Sequence, residues 1–207
     1  MPENFYVNTV GAVSSTKLSE AIELGKKLTA ESKAAGSERA SIGTIMTGNN
    51  AGSVVFQQFF NSLDDFANVM DAFATSSTYG KIIEMGLKVT MRNVAKFCDV
   101  PFVAPENPTR KYVVLTRGSS HISQSELMDL IAEAAPMFAE TGAQTFRFAR
   151  IMTGNNAGDF LLGVTYPSMT EIEATYDAIG TSPVASKIYA SLDVNLRTII
   201  RVHAAAT

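Results

Sequence analysis

Few residues of this 207-residue chain have types that suit acid–base or nucleophilic chemistry. The chain contains two histidines, His121 and His203, and a single cysteine, Cys98, so an intrachain disulfide is excluded. His121 follows a predicted strand, and it is the only side chain near the predicted loops at that end that titrates near neutral pH. It is therefore the one candidate general base, with a plain surface histidine as the alternative interpretation.

Two arginines and two tyrosines recur at matching places in the two halves of the chain, Arg92 with Arg197 and Tyr6 with Tyr112. An arginine inside a cavity binds a carboxylate or an enolate through two parallel hydrogen bonds. A solvent-exposed arginine on an edge strand is the alternative. The tyrosine hydroxyls would line the same cavity, or would belong to core residues whose hydroxyls are satisfied internally.

The elements that position these residues repeat along the chain. The octapeptide IMTGNNAG occupies residues 45–52 and recurs letter for letter at residues 151–158, a spacing of 106. The same spacing relates further identities, including Lys81-Ile82 and Lys187-Ile188. One register held over most of each half predicts an internal duplication.

The repeated octapeptide predicts a hairpin loop, because glycine and asparagine tolerate the positive φ of a tight reversal. Its asparagines also predict a paired binding site for a ligand or a partner chain, which is the alternative to a loop that only turns. The first and second strands of each half are expected to run the same way, so one serine per half is expected beside its loop. The residues of this hypothesis are Asn49, Asn50, Asn155, Asn156, Ser14 and Ser120.

Alternating periodicities predict the order βαββαβ in each half, the ferredoxin-like arrangement. We expect one repeat at residues 1–100, a proline-rich linker at 101–109 and a second repeat at 110–207. Capping boxes are expected at Ser123–Glu126 and at Ser168–Glu171. Pro136 is expected to kink its helix, because proline removes a backbone hydrogen bond.

The strand and helix order, the Ser-x-x-Asp/Glu helix starts and the following Thr-Ser and Lys-Ile pairs resemble the dimeric α/β-barrel superfamily. That superfamily includes small monooxygenases, isomerases and haem enzymes. The resemblance implies an α+β fold in which two tandem ferredoxin-like βαββαβ units of one chain form a pseudo-dimeric α/β barrel, with the sheets facing each other. Haem needs an axial ligand, and neither histidine has a counterpart in the other half, so we expect no haem.

Composition excludes several other classes of function. The net charge of −3 and the isoelectric point near 5.4 give no reason to expect nucleic acid or anionic membrane as a partner. No group of residues has metal-ligand spacing, and we expect no metal or other cofactor. No apolar run reaches the roughly 20 residues of a membrane helix, and the start lacks a secretory signal, so a cytoplasmic protein is expected. A homo-oligomer is left open.

These observations leave three functional hypotheses. The first is binding of a small organic molecule in a cavity between the two sheets, which the absence of a matched base or nucleophile favours. The second is a cofactor-free enzyme, monooxygenase-like or isomerase-like, acting on a small organic substrate. The third is a protein-interaction module that uses the two repeated loops.

Overall fold

A computed structural model describes residues 3–207 and shows an α+β fold, which confirms the expected class. The first half contains four strands, a short 3₁₀ helix and three α-helices. Their bounds are β1 Phe5–Ala12, the 3₁₀ helix Ser15–Lys17, α1 Leu18–Ala34, β2 Arg39–Ile45, β3 Val54–Phe60, α2 Leu63–Thr75, α3 Ser77–Glu84 and β4 Lys88–Cys98.

The second half repeats this order without the 3₁₀ helix. Its elements are β5 Tyr112–Ser120, α4 Gln124–Glu140, β6 Thr145–Thr153, β7 Phe160–Tyr166, α5 Met169–Thr181, α6 Pro183–Ser191 and β8 Leu192–Ala206. Residues 99–111, which include the expected linker, have no regular secondary structure. In each half the second helix is interrupted, at Ser76 and at Ser182, and a separate short helix follows, as the serines at these positions predict.

The described residues form two compact units. Unit 1 contains the described residues up to Phe97 together with Ile151–Ala157 and Ile200–Thr207, and unit 2 contains Cys98–Arg150 and Gly158–Ile199. Each unit therefore includes short pieces of both β6 and β8. In unit 1 the strands lie in the order β4-β1-β3-β2, and in unit 2 the order is β8-β5-β7-β6. Both are the antiparallel order of a ferredoxin-like sheet.

The strand register corrects one part of the predicted duplication. Phe5 pairs with Phe60 in the first half, and Tyr112 pairs with Tyr166 in the second. Because Phe60 and Tyr166 are 106 residues apart, the structural counterpart of Tyr112 is Phe5 and not Tyr6. A shift of one residue moves a side chain to the opposite face of the sheet, so the predicted match of Tyr6 with Tyr112 is wrong.

Serine side chains begin several helices, as the sequence predicts. Ser123 and Glu126 form the expected capping box at the start of α4. At the start of α5, the Ser168 hydroxyl donates to the Glu171 carboxylate, but it accepts from the Thr170 amide one position earlier than a capping box requires. The second expected box is therefore only half formed.

Each unit has its own hydrophobic core between its sheet and its helices. Val7, Phe60, Val69 and Phe73 are central to the core of unit 1. In unit 2, α4, which runs through Pro136 without ending, supplies much of the core. Its most buried members include Leu127, Ile131, Ala135, Val164 and Tyr166.

Candidate functional site

A cavity of about 80 Å³ lies within unit 2, between the sheet and helices α4, α5 and α6. The rings of Phe148 and Phe160 stack in its wall, with centroids 5.3 Å apart. A buried water needs about 10 to 15 Å³ of such space, so the cavity has room for a small organic molecule. Its apolar wall includes Phe138, Phe146, Phe148, Phe160, Leu162 and Ile179.

One position explains why this space is open. Ala185 lies in the first turn of α6, and its methyl group is buried in the cavity wall. Ser182 caps this helix by accepting a hydrogen bond from the Ala185 amide, which fixes the direction of the turn. Because only a methyl group projects there, the aromatic wall opposite is not covered.

The polar end of the cavity is built around Arg197, a half-buried residue of β8. Its Nε donates to Thr116 Oγ1 on β5 at 3.3 Å. Its Cζ lies 5.2 Å from the ring centroid of Tyr189 and 5.7 Å from that of Tyr176, within the range of cation–π interactions. Within residues 3–207 no carboxylate forms an ion pair with Arg197.

Tyr166 and Tyr176, two of the tyrosines that line the cavity, are neutral at neutral pH. Burial raises the pKa of the Tyr176 phenol, and the charge of Arg197 offsets part of that rise. Burial raises the pKa of Tyr166 to about 12, from an ordinary value of 10.0. Among the wall residues that the structure describes, Arg197 is the only charged side chain. The cavity therefore combines apolar walls with one cation, a combination suited to an apolar molecule that carries an acidic oxygen.

Arg92, the predicted partner of Arg197, has the same local geometry in unit 1. Its Nε donates to Thr9 Oγ1 at 3.0 Å, and Thr9 pairs with Arg92 in the strand register. Its Nη1 contacts Met70 Sδ at 3.7 Å. The two arginines are thus equivalent in position, and each is held to the first strand of its half by a threonine hydroxyl.

Tyr6 is buried on the face of the unit 1 sheet opposite Val7 and the helices. Gln57 Nε2 donates to its hydroxyl at 2.5 Å, and the hydroxyl donates to Asn8 Oδ1 at 3.2 Å. Burial raises the pKa of Tyr6, and the hydrogen bond from Gln57 offsets part of the rise. Tyr112 instead packs, partly buried, against the core of unit 2. The structure does not give these two tyrosines a common role.

His121 lies at the surface and contacts Asp193. Its Nε2 is 2.9 Å from Asp193 Oδ2, with the two side chains 56% and 70% exposed. It is not among the residues that line the unit 2 cavity. A catalytic role for His121 stays a prediction, and the cavity gives no support for it.

The two predicted serines have local partners. Ser14 Oγ is 2.9 Å from Thr16 Oγ1, and Ser120 Oγ contacts the backbone of Ile122 as donor and as acceptor. The one-residue shift of the first strand also separates Ser14 from Ser120, so their predicted match is wrong. The β1 exit and the first loop lie at the same end of the unit 1 sheet, as expected from the strand directions. The described hydrogen bonds of Ser14 do not reach Asn49 or Asn50.

The repeated loops have a structural use in addition to turning the chain. Gly48 and Gly154 have φ of 83° and 96°. The Thr153 hydroxyl accepts a hydrogen bond from the Val94 amide at 3.3 Å, and a Cβ on Gly154 would lie 2.2 Å from Asn93 Oδ1. This loop therefore packs against β4 within unit 1. Of the four loop asparagines, Asn49, Asn50 and Asn155 are exposed and Asn156 is half-buried. Their predicted binding role stays a prediction.

The described residues contain no cluster of three or more histidine, cysteine, aspartate or glutamate side chains placed to hold a metal ion. Neither histidine lines the unit 2 cavity, so its walls offer no histidine ligand to a haem iron. In residues 3–207 no helix is long and apolar enough to cross a membrane.

Three residues around Arg197 were not found from the sequence. At the spacing of 106 none of Thr116, Tyr176 and Tyr189 has an identical counterpart, and Tyr176 reads only as one apolar position of a helix stripe. A usable signal was present: Thr9-x-Gly11 recurs as Thr116-x-Gly118, at a spacing of 107 rather than 106. That spacing gives the correct register of the first strands.

Comparison with known proteins identifies a sequence family and a fold. The profile of a family described as a domain of unknown function (DUF6854) matches residues 3–97 and again residues 110–202. No curated protein matches the chain.

Solved structures resemble the chain over nearly its whole length. An anthrone oxidase-like protein is 14% identical, with a TM-score of 0.65 over 99% of this chain and 93% of that one. A proposed monooxygenase from Fusobacterium nucleatum is 12% identical, with a TM-score of 0.70 over 100% and 96%. Chlorite dismutase from Candidatus Nitrospira defluvii, in complex with imidazole, is 11% identical, with a TM-score of 0.64 over 98% and 92%. Identities this low show the fold alone, and it is the α+β fold that the resemblance to the dimeric α/β-barrel superfamily led us to expect.

Proposed function

We propose that this chain, which belongs to the family of domains of unknown function DUF6854, binds a small apolar organic acid in the cavity of unit 2. The observation that carries the proposal is Arg197, a half-buried cation without a carboxylate partner in residues 3–207, at the end of an otherwise apolar cavity. A ligand oxygen with negative charge would supply that partner.

The walls favour a planar ring system. Phe148 and Phe160 stack with ring planes 9° apart, and both line the space. Burial of apolar ligand surface contributes about 25 cal/mol per Å² before the entropic costs of association. A planar ligand would gain contact with the aromatic side chains that line the space.

The polar end favours a carboxylate, an enolate or a phenolate. The Nε of Arg197 is already bound to Thr116, so the guanidinium is oriented before a ligand arrives. The rings of Tyr176 and Tyr189 hold its plane by cation–π contact. A pre-oriented guanidinium loses less side-chain entropy on binding than a free one does.

The sequence-based hypothesis of a ligand between the two sheets stays a prediction. The present proposal uses the cavity of unit 2 because its walls and its anchor all belong to that unit.

Calorimetric titration with 2-naphthoate, a planar two-ring carboxylate, tests the proposal. Arg197→Met should weaken binding about 10- to 100-fold, because it removes the charged guanidinium that would donate hydrogen bonds to the ligand carboxylate. Ala185→Tyr should abolish binding by filling the cavity. His121→Ala is the control and should leave the affinity unchanged, because that side chain lies outside the cavity. Equal affinity in the wild type and in folded Arg197→Met would overturn the proposal.

A cofactor-free oxygenase is the second candidate, favoured by the combination of this cavity with the fold shared by an anthrone oxidase-like protein. The charge of Arg197 would stabilise an enolate formed from a ketone substrate. Oxygen consumption with 2-tetralone, a two-ring ketone that enolises, would support this candidate if it is slowed by Arg197→Met and unaffected by His121→Ala. If the protein binds 2-naphthoate but consumes no oxygen, the oxygenase function is rejected and ligand binding remains.

A further inference from the structure

Unit 1 contains a counterpart of the proposed site. A cavity of about 50 Å³ lies between its sheet and its helices, and Arg92 and Thr9 are in its wall. The distance from Arg92 Nε to Thr9 Oγ1 is 3.0 Å, against 3.3 Å from Arg197 Nε to Thr116 Oγ1. The arginine anchor is therefore built twice in one chain.

Arg92 also lacks a carboxylate partner. Within residues 3–207 it forms no ion pair, and its Nη1 contacts only the Met70 sulfur, a weak acceptor. Ile83 and Val89, 48% and 44% exposed, are also in the wall of this cavity. A charged group held beside an apolar space is costly unless it is paired or hydrated, so the site is suited to an oxyanion.

The unit 1 cavity is smaller, at about 50 Å³, and three aromatic side chains stand in its wall where unit 2 has smaller ones. Phe73 stacks on Tyr79 with centroids 5.4 Å apart and meets Phe56 edge-on at 6.2 Å. At the spacing of 106, three rings replace three smaller side chains of unit 2: Phe56 for Leu162, Phe73 for Ile179 and Tyr79 for Ala185.

We propose that unit 1 holds a second, narrower ligand site, which takes a short-chain or single-ring monocarboxylate bound to Arg92. The proposal deepens the function proposed for unit 2, on which it rests for the chemistry of the ligand. The chain would then have two carboxylate sites of different size selectivity. A single-ring acid enters both, and a two-ring acid enters only unit 2.

Titration with benzoate, followed by the amide resonances of both units, tests the second site. In the wild type, benzoate should shift resonances around Thr9 and Leu87 in unit 1 as well as resonances around Thr116 in unit 2. Arg92→Met should weaken the unit 1 response about tenfold or more and leave the unit 2 response unchanged. Arg92→Gln, which keeps a polar side chain, is the second variant if Arg92→Met does not fold.

Exchange of side chains between the units tests the size selectivity. Tyr79→Ala gives unit 1 the residue that unit 2 has at Ala185, and the double variant with Phe73→Ile copies a second position. In the variant that folds, 2-naphthoate should bind at two sites per chain, against one in the wild type. Ala185→Tyr is the reciprocal control: it should remove 2-naphthoate binding and keep the benzoate response of unit 1.

The two proposals fail in different ways. If benzoate shifts only unit 2 resonances in the wild type, the second site is wrong and the unit 2 site stands. Suppose that neither 2-naphthoate nor benzoate shifts unit 2 resonances, while benzoate shifts unit 1 resonances and Arg92→Met weakens that shift. The function proposed for unit 2 is then wrong, and the unit 1 site stands. A folded exchange variant that binds a single 2-naphthoate would overturn the assignment of selectivity to Phe73 and Tyr79.

Discussion

Unit 1 and unit 2 share one order of strands and helices, but they fill the space under their helices differently. In unit 1 the rings of Phe73 and Tyr79 stack in the wall of a cavity of about 50 Å³. In unit 2 the matching positions hold Ile179 and Ala185, and the cavity is about 80 Å³. Both units keep the bond from arginine to threonine. The two units thus share the hydrogen bond from arginine to threonine, and they differ in the side chains and the volume of the cavity beside it.

The two units also differ on the sheet face that points away from the helices, which is polar in unit 1 and apolar at the matching positions of unit 2. In unit 1 this face carries a hydrogen-bonded group made of Tyr6, Asn8 and Gln57, all buried. By strand register, the unit 2 positions that match Tyr6 and Asn8 are Val113 and Leu115, both buried and apolar. On this face the polar side chains of unit 1 bond to one another, and the matching positions of unit 2 are apolar.

The largest expected effect is on stability. Phe73→Ala should lower the free energy of unfolding by about 3 to 5 kcal/mol, because it removes a buried ring and its two aromatic contacts. Ile179→Ala, the matched change in unit 2, should cost clearly less, since Ile179 is only partly buried and already borders open space. Urea unfolding of both variants gives the two values. Equal costs would mean that the unit 2 cavity is an ordinary packed core.

The sequence allowed the fold to be predicted further than the site. The octapeptide and the helix starts were enough for the βαββαβ order, because periodicity and capping are local properties. The register of the first strands could not be predicted, because two spacings fit the sequence equally well. A spacing of 106 matches Tyr6-Val7, and a spacing of 107 matches Thr9-x-Gly11. Only the pairing of Phe5 with Phe60 and of Tyr112 with Tyr166 decided between them.

The arginines were predictable as a matched pair, but the cavity beside them was not. A cavity depends on which side chains are absent from a packed space, and motifs record only those present. The sequence shows that Tyr79 in the first half is matched by Ala185 in the second. Only the structure shows that both residues lie in a cavity wall, because the helices that carry them must first be placed over the sheets. His121 was singled out by its titration range, and the structure places it at the surface instead.

An intermediate effect is expected at alkaline pH, from Tyr166 in unit 2. Its folded-state pKa is about 12 against 10.0, so the fold favours the protonated phenol. That stabilisation is fully present below pH 10 and is lost as the pH rises from 10 towards 12. By about pH 11 the loss should reach about 1.4 kcal/mol. Tyr166→Phe, which copies Phe60 of unit 1, should remove this part of the slope in urea unfolding followed from about pH 8 to pH 11. An unchanged slope would show that Tyr166 is not the group responsible.

The smallest difference is expected between the repeated loops, which belong to an identical stretch of eight residues in the two halves. Gly52 and Gly158 have φ of 87° and 99°, and a Cβ on either would meet no atom within 4 Å. Gly52→Ala and Gly158→Ala should therefore each cost about 1 kcal/mol of backbone strain, and the two values should agree. Gly154→Ala should cost more than Gly158→Ala in the same loop, because its Cβ would also strike Asn93. Thermal unfolding of the three variants measures these costs.

Unequal costs for Gly52→Ala and Gly158→Ala would mean that one loop has a constraint beyond its own backbone. The search for a partner of the loop asparagines should then begin at that loop.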